Sequence, residues 1–207
     1  MCDSLRLACA VCRIGLYSVF RRICCSKAEV IKPEYNPICI GLTKSGKTTV
    51  LALISGEKAT DVEPTVGFSI KAILFDDCIL NVKEIGGAAN IRPYWRHYYK
   101  GAHGVIFIID ASSNEEEFST AKNELEKALR DPALGELPCL ILATHSDVNS
   151  ARSETELKEL LDVDDLFENR PYIFGLGSIN DVDTIRTLFI QFNQSLHKRY
   201  SRGNTAD

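Results

Sequence analysis

The stretch Ile38–Ile54, ICIGLTKSGKTTVLALI, contains an apolar run, a short loop of glycine and polar residues, and a second apolar run. Its centre, from Gly41 to Thr48, fits the pattern G-x-x-x-x-G-K-[ST], which follows a strand and opens a helix. Glycines let backbone N–H groups surround phosphate oxygens, and the helix N-terminus adds partial positive charge. The stretch therefore predicts a strand–loop–helix unit that binds a phosphate.

Each position of this loop has an expected role. Lys47 is expected to contact the terminal phosphates, and the Thr48 hydroxyl to bind Mg²⁺. The other positions predicted to line the phosphates are Gly41, Leu42, Thr43, Lys44, Ser45, Gly46 and Thr49. A chance glycine loop is the alternative, which the match of both pattern and context disfavours. Kinases, ATPases and GTPases all remain open from this loop alone.

The whole chain has the composition of a globular protein with one main domain, at 207 residues with 45% hydrophobic and 25% charged residues. No apolar run approaches the ~18 residues of a membrane-spanning helix. The net charge of -4 gives no reason to expect nucleic acid. Residues 1–32 carry six Lys and Arg against two Asp and Glu, so a basic leader precedes an acidic body.

The cysteines follow the same division, because five of the eight lie in the first 25 residues. Cys39 and Cys139 lie in apolar, strand-like runs, where a reduced cysteine packs as a small hydrophobic residue. Zinc-like pairs of cysteines do not occur, and a secreted disulfide framework would spread its cysteines through the fold. We therefore expect a reduced, cytosolic body.

Apolar runs alternate with helical patterns after the leader. The predicted strands are Ile38–Leu42, Phe68–Phe75, Cys78–Ile85, Gly104–Asp110, Cys139–Thr144 and Tyr172–Phe174. The predicted helices are Lys47–Ser55, Ile91–Lys100, Glu115–Asp131, Ser153–Leu161 and Val182–Tyr200, the third with a capping box from Ser113 and Glu116. The two strands around Asp76-Asp77 form a hairpin. The pattern predicts an α/β fold: a six-stranded, mostly parallel sheet with one antiparallel edge hairpin and helices on both faces.

Two further segments carry a resemblance to a known family. EPTVGFSI at Glu63–Ile70 and EIGGAANIRPYWRHYY at Glu84–Tyr99 are similar to the switch regions of the ADP-ribosylation-factor branch of small GTPases. Asp147 in LATHSD stands at that family's guanine-reading aspartate. The resemblance covers about residues 34–200. It implies the P-loop NTPase small-GTPase fold, with GTP or GDP and Mg²⁺ as cofactors.

The expected nucleotide is a guanine nucleotide. A carboxylate at Asp147 can accept from both N1–H and the 2-amino group of guanine, and adenine offers no such pair of donors. The resemblance implies that Thr65 is a second hydroxyl on Mg²⁺, in a loop that orders around a γ-phosphate. It also implies that Gly87 lines the phosphates and that the backbone of Ser178, in GLGSIN, contacts guanine. A solvated loop aspartate is the alternative for Asp147, disfavoured by the upstream phosphate loop.

The guanine motif departs from the family pattern, because Asn-Lys-x-Asp reads Thr144-His145-Ser146-Asp147. We expect Thr144 to lose the amide's contact with the base and its bracing of the phosphate loop. The ring of His145 can stack on the base in place of the Lys stem. One lost buried hydrogen bond costs about 0.5–1.5 kcal/mol, so we expect affinity lower by roughly three- to tenfold and faster exchange.

Two departures concern the metal and the chemistry. Glu84 replaces the aspartate that holds Mg²⁺ through a water, and we expect it to keep the metal in an altered geometry. Ala88 stands at the position of the glutamine that orients the attacking water. Because a methyl group cannot orient water, no catalytic residue is predicted and GTP hydrolysis is expected to be slow at most.

The resemblance also implies an effector surface. Phe68 and Tyr98 keep two of its aromatic positions, Lys83 replaces the tryptophan before Glu84, and Trp95 is assigned to the same surface. An exposed hairpin lysine is the alternative for position 83. We expect poor recognition by the family's usual effectors.

The leader, residues 1–32, is predicted to be a cysteine-rich amphipathic helix that associates with membranes. The apolar residues within about 120° of one another at helical spacing are Leu5, Ala8, Cys9, Cys12, Leu16, Val19, Phe20 and Ile23. Related GTPases carry a myristoylated glycine at position 2, which Cys2 excludes. Cys24 and Cys25, beside two arginines, form an S-palmitoylation candidate that would complete the two-signal rule for anchoring. The alternative is a helix packed on the body.

These observations predict three regions: the leader, a small-GTPase domain at 33–200 and a disordered tail at 201–207. The predicted function is that of a divergent Arf-like GTP-binding switch or adaptor, in the cytosol and on the cytoplasmic side of Golgi, endosomal or plasma membranes. Expected partners are a guanine nucleotide, a membrane surface and protein effectors, with no nucleic acid, and we expect a monomer. Similarity to one divergent member implies partnership with cyclin-M (CNNM) magnesium-transport proteins. The alternatives are an interaction module that binds nucleotide only for stability and, third, a phosphate-loop kinase.

Overall fold

A mostly parallel sheet with helices on both faces forms the fold. The computed structural model describes residues 32–57, 65, 67–168 and 170–201. Its strands are β1 Glu34–Tyr35, β2 Ile38–Ile40, β3 Phe68–Leu74, β4 Ile79–Ile85, β5 Val105–Asp110, β6 Cys139–Thr144 and β7 Tyr172–Leu176. Its α-helices are α1 Lys47–Ser55, α2 Glu115–Arg130, α3 Glu154–Leu160, α4 Val163–Leu166 and α5 Val182–Tyr200, and a 3₁₀ helix, η1, spans Arg92–Tyr98. The predicted leader up to residue 31, with Cys24 and Cys25, and the tail beyond residue 201 lie outside the described residues.

The strand pairing confirms the predicted fold class. β4 pairs in parallel with β1 and β2, β2 with β5, β5 with β6 and β6 with β7, whereas β3 pairs antiparallel with β4 at the edge. The sheet has seven strands instead of the predicted six because β1 was missed. β1 and β2 lie end to end along β4, separated by Asn36 and Pro37. Pro37 has no N–H to donate to the ladder, which accounts for the interruption.

Alternation along the strands divides the core into two layers. In β5, Val105, Phe107 and Ile109 belong to the cluster beneath α2 and η1, and Ile106 and Ile108 to the cluster beneath α1 and α5. Successive side chains of a strand point to opposite faces, so both faces of β5 are covered. This explains why its sequence is continuously apolar instead of alternating.

Several helix boundaries differ from the prediction. The segment predicted as the helix Ile91–Lys100 is the shorter η1, with Pro93 in its first turn. The predicted capping box from Ser113 and Glu116 is wrong by one residue, because Asn114 caps α2 and accepts from the backbone N–H of Glu117 at 2.9 Å. Ser113 instead donates its hydroxyl to the Asp110 carbonyl at 2.8 Å. None of the described helices is long and apolar enough to cross a membrane.

Candidate nucleotide-binding site

The loops at the carboxyl ends of four strands converge at one edge of the sheet. They are the phosphate loop after β2, the Gly86–Ala88 segment after β4, the Thr144–Asp147 segment after β6 and the Gly177–Asn180 segment after β7. Ligands of open α/β sheets bind outside these strand ends. The topology therefore places nearly all predicted nucleotide-binding residues on one side of the molecule.

The phosphate loop leads into α1 through a left-handed glycine. Gly46 has φ 82° at the N-cap of α1, a conformation that disfavours any side chain. Lys47 is 6% exposed, and its Nζ donates to the carbonyls of Gly41 at 3.0 Å and Leu42 at 2.7 Å. Burial lowers the pKa of Lys47, since a buried ammonium is poorly solvated. An ammonium has three N–H donors, so one remains for an anion in the loop.

The segment after β4 presses against this loop. A Cβ atom at Gly87 would lie 2.3 Å from the Gly41 carbonyl oxygen and 2.6 Å from the Thr43 nitrogen, so only glycine fits there. Ala88 follows directly in the chain. Because Gly87 lies against the loop backbone, a backbone rearrangement at Gly87 would displace the phosphate loop.

Three oxygen-bearing side chains from separate elements meet beside Lys47. The Glu84 carboxylate, fully buried, accepts from the Thr48 hydroxyl at 2.5 Å and from the Thr65 hydroxyl at 3.1 Å, and the two hydroxyl oxygens are 3.4 Å apart. The Ser69 hydroxyl donates to the second carboxylate oxygen at 3.3 Å. Hydroxyl and carboxylate oxygens are hard donors of the kind that Mg²⁺ prefers, so this set fits the expected ion. The Glu84 carboxylate thus contacts both threonines directly.

A cleft of about 220 Å³ contains most of the predicted phosphate-binding residues. Its lining consists of Thr43, Lys44, Gly46, Lys47, Thr48, Thr49, Thr65, Glu84, Gly86, Gly87, Ala88 and His145. The predicted residues that do not line it are Gly41, Leu42, Ser45, Thr144, Asp147 and Ser178. Of these, Gly41 and Leu42 accept hydrogen bonds from Lys47 through their carbonyls, and the Ser45 carbonyl accepts one from Thr144. Asp147 and Ser178 lie in the segments that follow β6 and β7.

Thr144 braces the phosphate loop, contrary to the prediction. Its side chain is buried, and Oγ1 lies 2.9 Å from the Ser45 carbonyl oxygen and 3.1 Å from that of Ile109. The hydroxyl carries one hydrogen and shares it between these two acceptors. The prediction that the brace is lost with the family's asparagine is therefore wrong. The shorter side chain keeps it because the loop carbonyl lies directly above the end of β6.

His145 occupies a strained position at the edge of the cleft. Its φ is 55°, in the left-handed region, and its Nδ1 lies 3.1 Å from the Asp110 Oδ1 and 3.3 Å from the Thr144 Oγ1. The side chain is 38% exposed. The ring is thus held by polar contacts at Nδ1, and the residue lines the cleft.

Asp147 and Ser178 are joined by Asn180, which was not among the predicted site residues. The Asn180 side-chain amide donates to the Asp147 Oδ2 at 3.0 Å, and the Asn180 backbone N–H donates to the Ser178 hydroxyl at 3.1 Å. Asn180 therefore contacts the predicted guanine-reading carboxylate at the protein surface. The available signal was its place two residues after Ser178 in GLGSIN.

The phosphate loop, the oxygen cluster and the predicted guanine-reading aspartate thus lie at the carboxyl ends of the parallel strands, on one edge of the sheet. The model of the ADP-ribosylation factor family matches residues 19–191. The chain belongs to this family.

Individual relatives agree with the family assignment. The ADP-ribosylation factor-like protein 15 of Mus musculus is 45% identical over 183 residues, which cover 88% of this chain and 90% of that protein, and the Homo sapiens protein is 44% identical over the same shares. The ADP-ribosylation factor-like protein 2 of Arabidopsis thaliana is 34% identical over 76% of this chain and 82% of its own length. The solved structure of the Trypanosoma brucei Arl6 BBS3 small GTPase with bound GppNp has a TM-score of 0.73 at 23% identity, covering 80% of this chain and 98% of that one. This last likeness shows the same fold.

The surface expected to bind effectors in this Arf-family protein differs from the prediction at one residue. Phe68 is 50% exposed, and its ring lies 5.3 Å from that of Tyr98. Lys83 pairs with Ile70 across the hairpin, which puts it on the same sheet face as Phe68. Trp95, however, is 2% exposed and donates its indole N–H to the Gly86 carbonyl at 2.9 Å. Its assignment to the surface is wrong, because the 3₁₀ turn directs the indole into the core.

Proposed function

We propose that this Arf-family small GTPase is a GTP-binding switch or adaptor at membranes that hydrolyses GTP slowly or not at all. The observation that carries the proposal is the meeting of Thr48, Thr65 and Glu84 beside the buried Lys47. Thr48, Thr65 and Glu84 would hold Mg²⁺, which neutralises charge on the phosphate oxygens when bound. Asp147, in contact with Asn180, would read the guanine base.

A physical link between the two switch segments supports the switch role. Thr65 precedes β3 by three residues, and Glu84 lies at the end of β4, so the antiparallel hairpin connects both to the cleft. Gly86 lies two residues before Ala88, which lines the cleft, and its carbonyl accepts a hydrogen bond from the Trp95 indole. A change at the γ-phosphate position would therefore be transmitted to the hairpin and to η1 together.

The side chains that surround the cleft support the proposal of slow hydrolysis. Among the described residues that line it, the titratable ones are Lys44, Lys47, Glu84 and His145. The Glu84 carboxylate accepts three hydroxyl hydrogen bonds, and the His145 Nδ1 faces Asp110. Ala88 presents a methyl group with no hydrogen-bonding atom. The lining thus provides nothing at position 88 to orient an attacking water.

The fluorescence of Trp95, the only tryptophan, tests the switch. Because its indole donates to Gly86, exchange of GDP for a non-hydrolysable GTP analogue with Mg²⁺ is expected to change its emission. Adenine nucleotides at the same concentration serve as the control and are expected to cause no change. Binding of both guanine nucleotides with unchanged emission would refute a switch while leaving nucleotide binding intact. Equal binding of ATP and GTP would refute the role of Asp147.

The membrane part of the proposal rests on the amino-acid sequence of the leader. The amphipathic stripe at residues 4–23 and the adjacent Cys24 and Cys25 supply an apolar face and two candidate acylation sites. Replacing both cysteines by serine is expected to move the protein from the membrane fraction to the cytosol. Retention on membranes would refute acyl anchoring at these positions.

Ala88 and Lys83 favour a second candidate function, an interaction module that binds nucleotide only for stability. Ala88 weakens the case for a hydrolytic cycle, and Lys83 alters the surface on which family effectors would bind. Such a module would regulate a membrane protein, for which the cyclin-M (CNNM) magnesium transporters are the proposed class. Its signature in the fluorescence experiment is a stable guanine-nucleotide complex whose Trp95 emission does not depend on the γ-phosphate.

A further inference from the structure

The start of β4 and the last turns of α5 bring three metal-ligating side chains together. Ligand atoms of Asp77, Cys78 and His197 all lie within 4.8 Å of one another. Asp77 and Cys78 precede β4, whereas Glu84 lies near its end, so this cluster is at the opposite end of the strand from the nucleotide site, about 20 Å away. We propose that Asp77, Cys78 and His197 form a second metal site, for a divalent ion of the zinc class.

The imidazole of His197 is already oriented for such an ion. Its Nε2 lies 3.0 Å from the Asp77 Oδ2, and its Nδ1 lies 2.9 Å from the Tyr35 hydroxyl oxygen. A metal ion at Nε2 requires the proton to be on Nδ1, and the Tyr35 oxygen is placed to accept that N–H. Most metal-ligating histidines have a second partner of this kind, which fixes the ring and its tautomer.

The cluster is open to solvent on one side. The Cys78 thiol is fully buried, whereas the side chains of Asp77 and His197 are 54% and 26% exposed. An ion can therefore enter from solvent past Asp77 and reach the thiol behind it. The thiol loses its proton to solvent as the metal–sulfur bond forms.

The ligand chemistry and spacing select the metal. One thiolate, one imidazole and one carboxylate suit Zn²⁺, while the all-oxygen cluster at Glu84 suits Mg²⁺. Tetrahedral zinc with bonds of about 2.0–2.3 Å keeps its ligand atoms about 3.3–3.8 Å apart. The Asp77–His197 distance of 3.0 Å is close to this range, and the remaining separations need to close by about 1 Å at most. A water would be the fourth ligand, and the bound ion would join the β3–β4 hairpin to α5.

Cobalt provides a direct test, because a thiolate bound to Co²⁺ gives a charge-transfer absorption in the near ultraviolet. The full chain with GDP and Mg²⁺ is titrated with Co²⁺ and then with Zn²⁺, which is expected to displace it. Cys78→Ser and His197→Gln are each expected to reduce the bound metal by one ion per chain. Cys139→Ser, which alters another fully buried thiol, is the matched control and is expected to keep it. Tyr35→Phe is expected to weaken binding by about 10–100-fold.

Two outcomes would overturn the proposal. The first is the absence of Co²⁺ and Zn²⁺ binding, in which case Asp77 and His197 form only a hydrogen bond that closes the hairpin onto α5. The second is equal metal content in Cys78→Ser, His197→Gln and Cys139→Ser, which would assign the ion to other cysteines, such as the five in the first 25 residues. If Cys78→Ser does not fold, the partly exposed His197 decides the question through His197→Gln.

Discussion

Replacing Thr144 by valine removes one hydroxyl from beneath the phosphate loop while leaving the side-chain shape almost unchanged. The hydroxyl lies 2.9 Å from the Ser45 carbonyl oxygen and 3.1 Å from that of Ile109, and the residue is 5% exposed. Removing a donor from buried acceptors costs about 1–3 kcal/mol, because the acceptors lose a partner without regaining water. We expect the free energy of unfolding of the GDP-bound protein to fall by that amount.

The same change is expected to loosen the loop that holds the nucleotide. The dissociation rate of a fluorescent GDP analogue should rise by at least about fivefold, the equivalent of about 1 kcal/mol. Urea unfolding with saturating GDP and Mg²⁺, followed by circular dichroism, gives the stability change. Thr144→Ser, which keeps the hydroxyl, is expected to restore most of the slow dissociation.

A matched control distinguishes the effect of losing the Thr144 hydroxyl from the effect of losing any threonine hydroxyl. Thr187 lies on the exposed side of α5 and donates to the Asp183 carbonyl at 2.9 Å, so Thr187→Val is expected to stay within about 0.5 kcal/mol of the parent protein. If Thr144→Val and Thr187→Val gave the same stability and the same GDP dissociation rate, the bracing role of Thr144 would be refuted.

Two further predictions concern the chemistry and the base. Ala88→Gln is expected to raise the rate of single-turnover GTP hydrolysis by at least about tenfold, because glutamine supplies a group that positions water. Ala89→Gln, at the exposed neighbouring position, is the control and is expected to leave the rate unchanged. Equal rates in both variants would contradict this account. Asn180→Ala is expected to weaken GDP binding by roughly three- to tenfold through loss of the contact with Asp147. In an Asp147→Ala background the same change should add nothing, and an additive loss would contradict the proposed coupling.

The fold class was predictable because it is encoded in local patterns. Continuous apolar runs such as that of β5 imply strands buried on both faces, and their alternation with helical patterns implies parallel pairing. The hairpin between β3 and β4 followed from two apolar runs around Asp76-Asp77. The strand β1 was missed because a two-residue strand before Pro37 has no periodicity to detect.

The candidate site likewise contains residues that could be predicted from the sequence and contacts that could not. The glycines, Lys47 and Thr48 belong to one contiguous loop, so their meeting is guaranteed by the chain itself. The contact of Thr144 with Ser45 joins residues 99 positions apart, and that of His197 with Asp77 joins residues 120 positions apart. No local periodicity specifies such pairs, because they depend on which strands are neighbours and on their register.

By itself, the sequence determined the strand–loop–helix unit at Ile38–Ile54, the alternating α/β pattern and the family, because each is encoded in short motifs and in their order along the chain. Only the tertiary structure decided that Thr144 still supports the phosphate loop, that Trp95 is buried and that Asn180 contacts Asp147. Those outcomes depend on distances of a few ångströms between separate elements. A change of less than 1 Å in the donor–acceptor distance decides whether a hydrogen bond forms, and only the packing of the folded chain determines that distance so accurately.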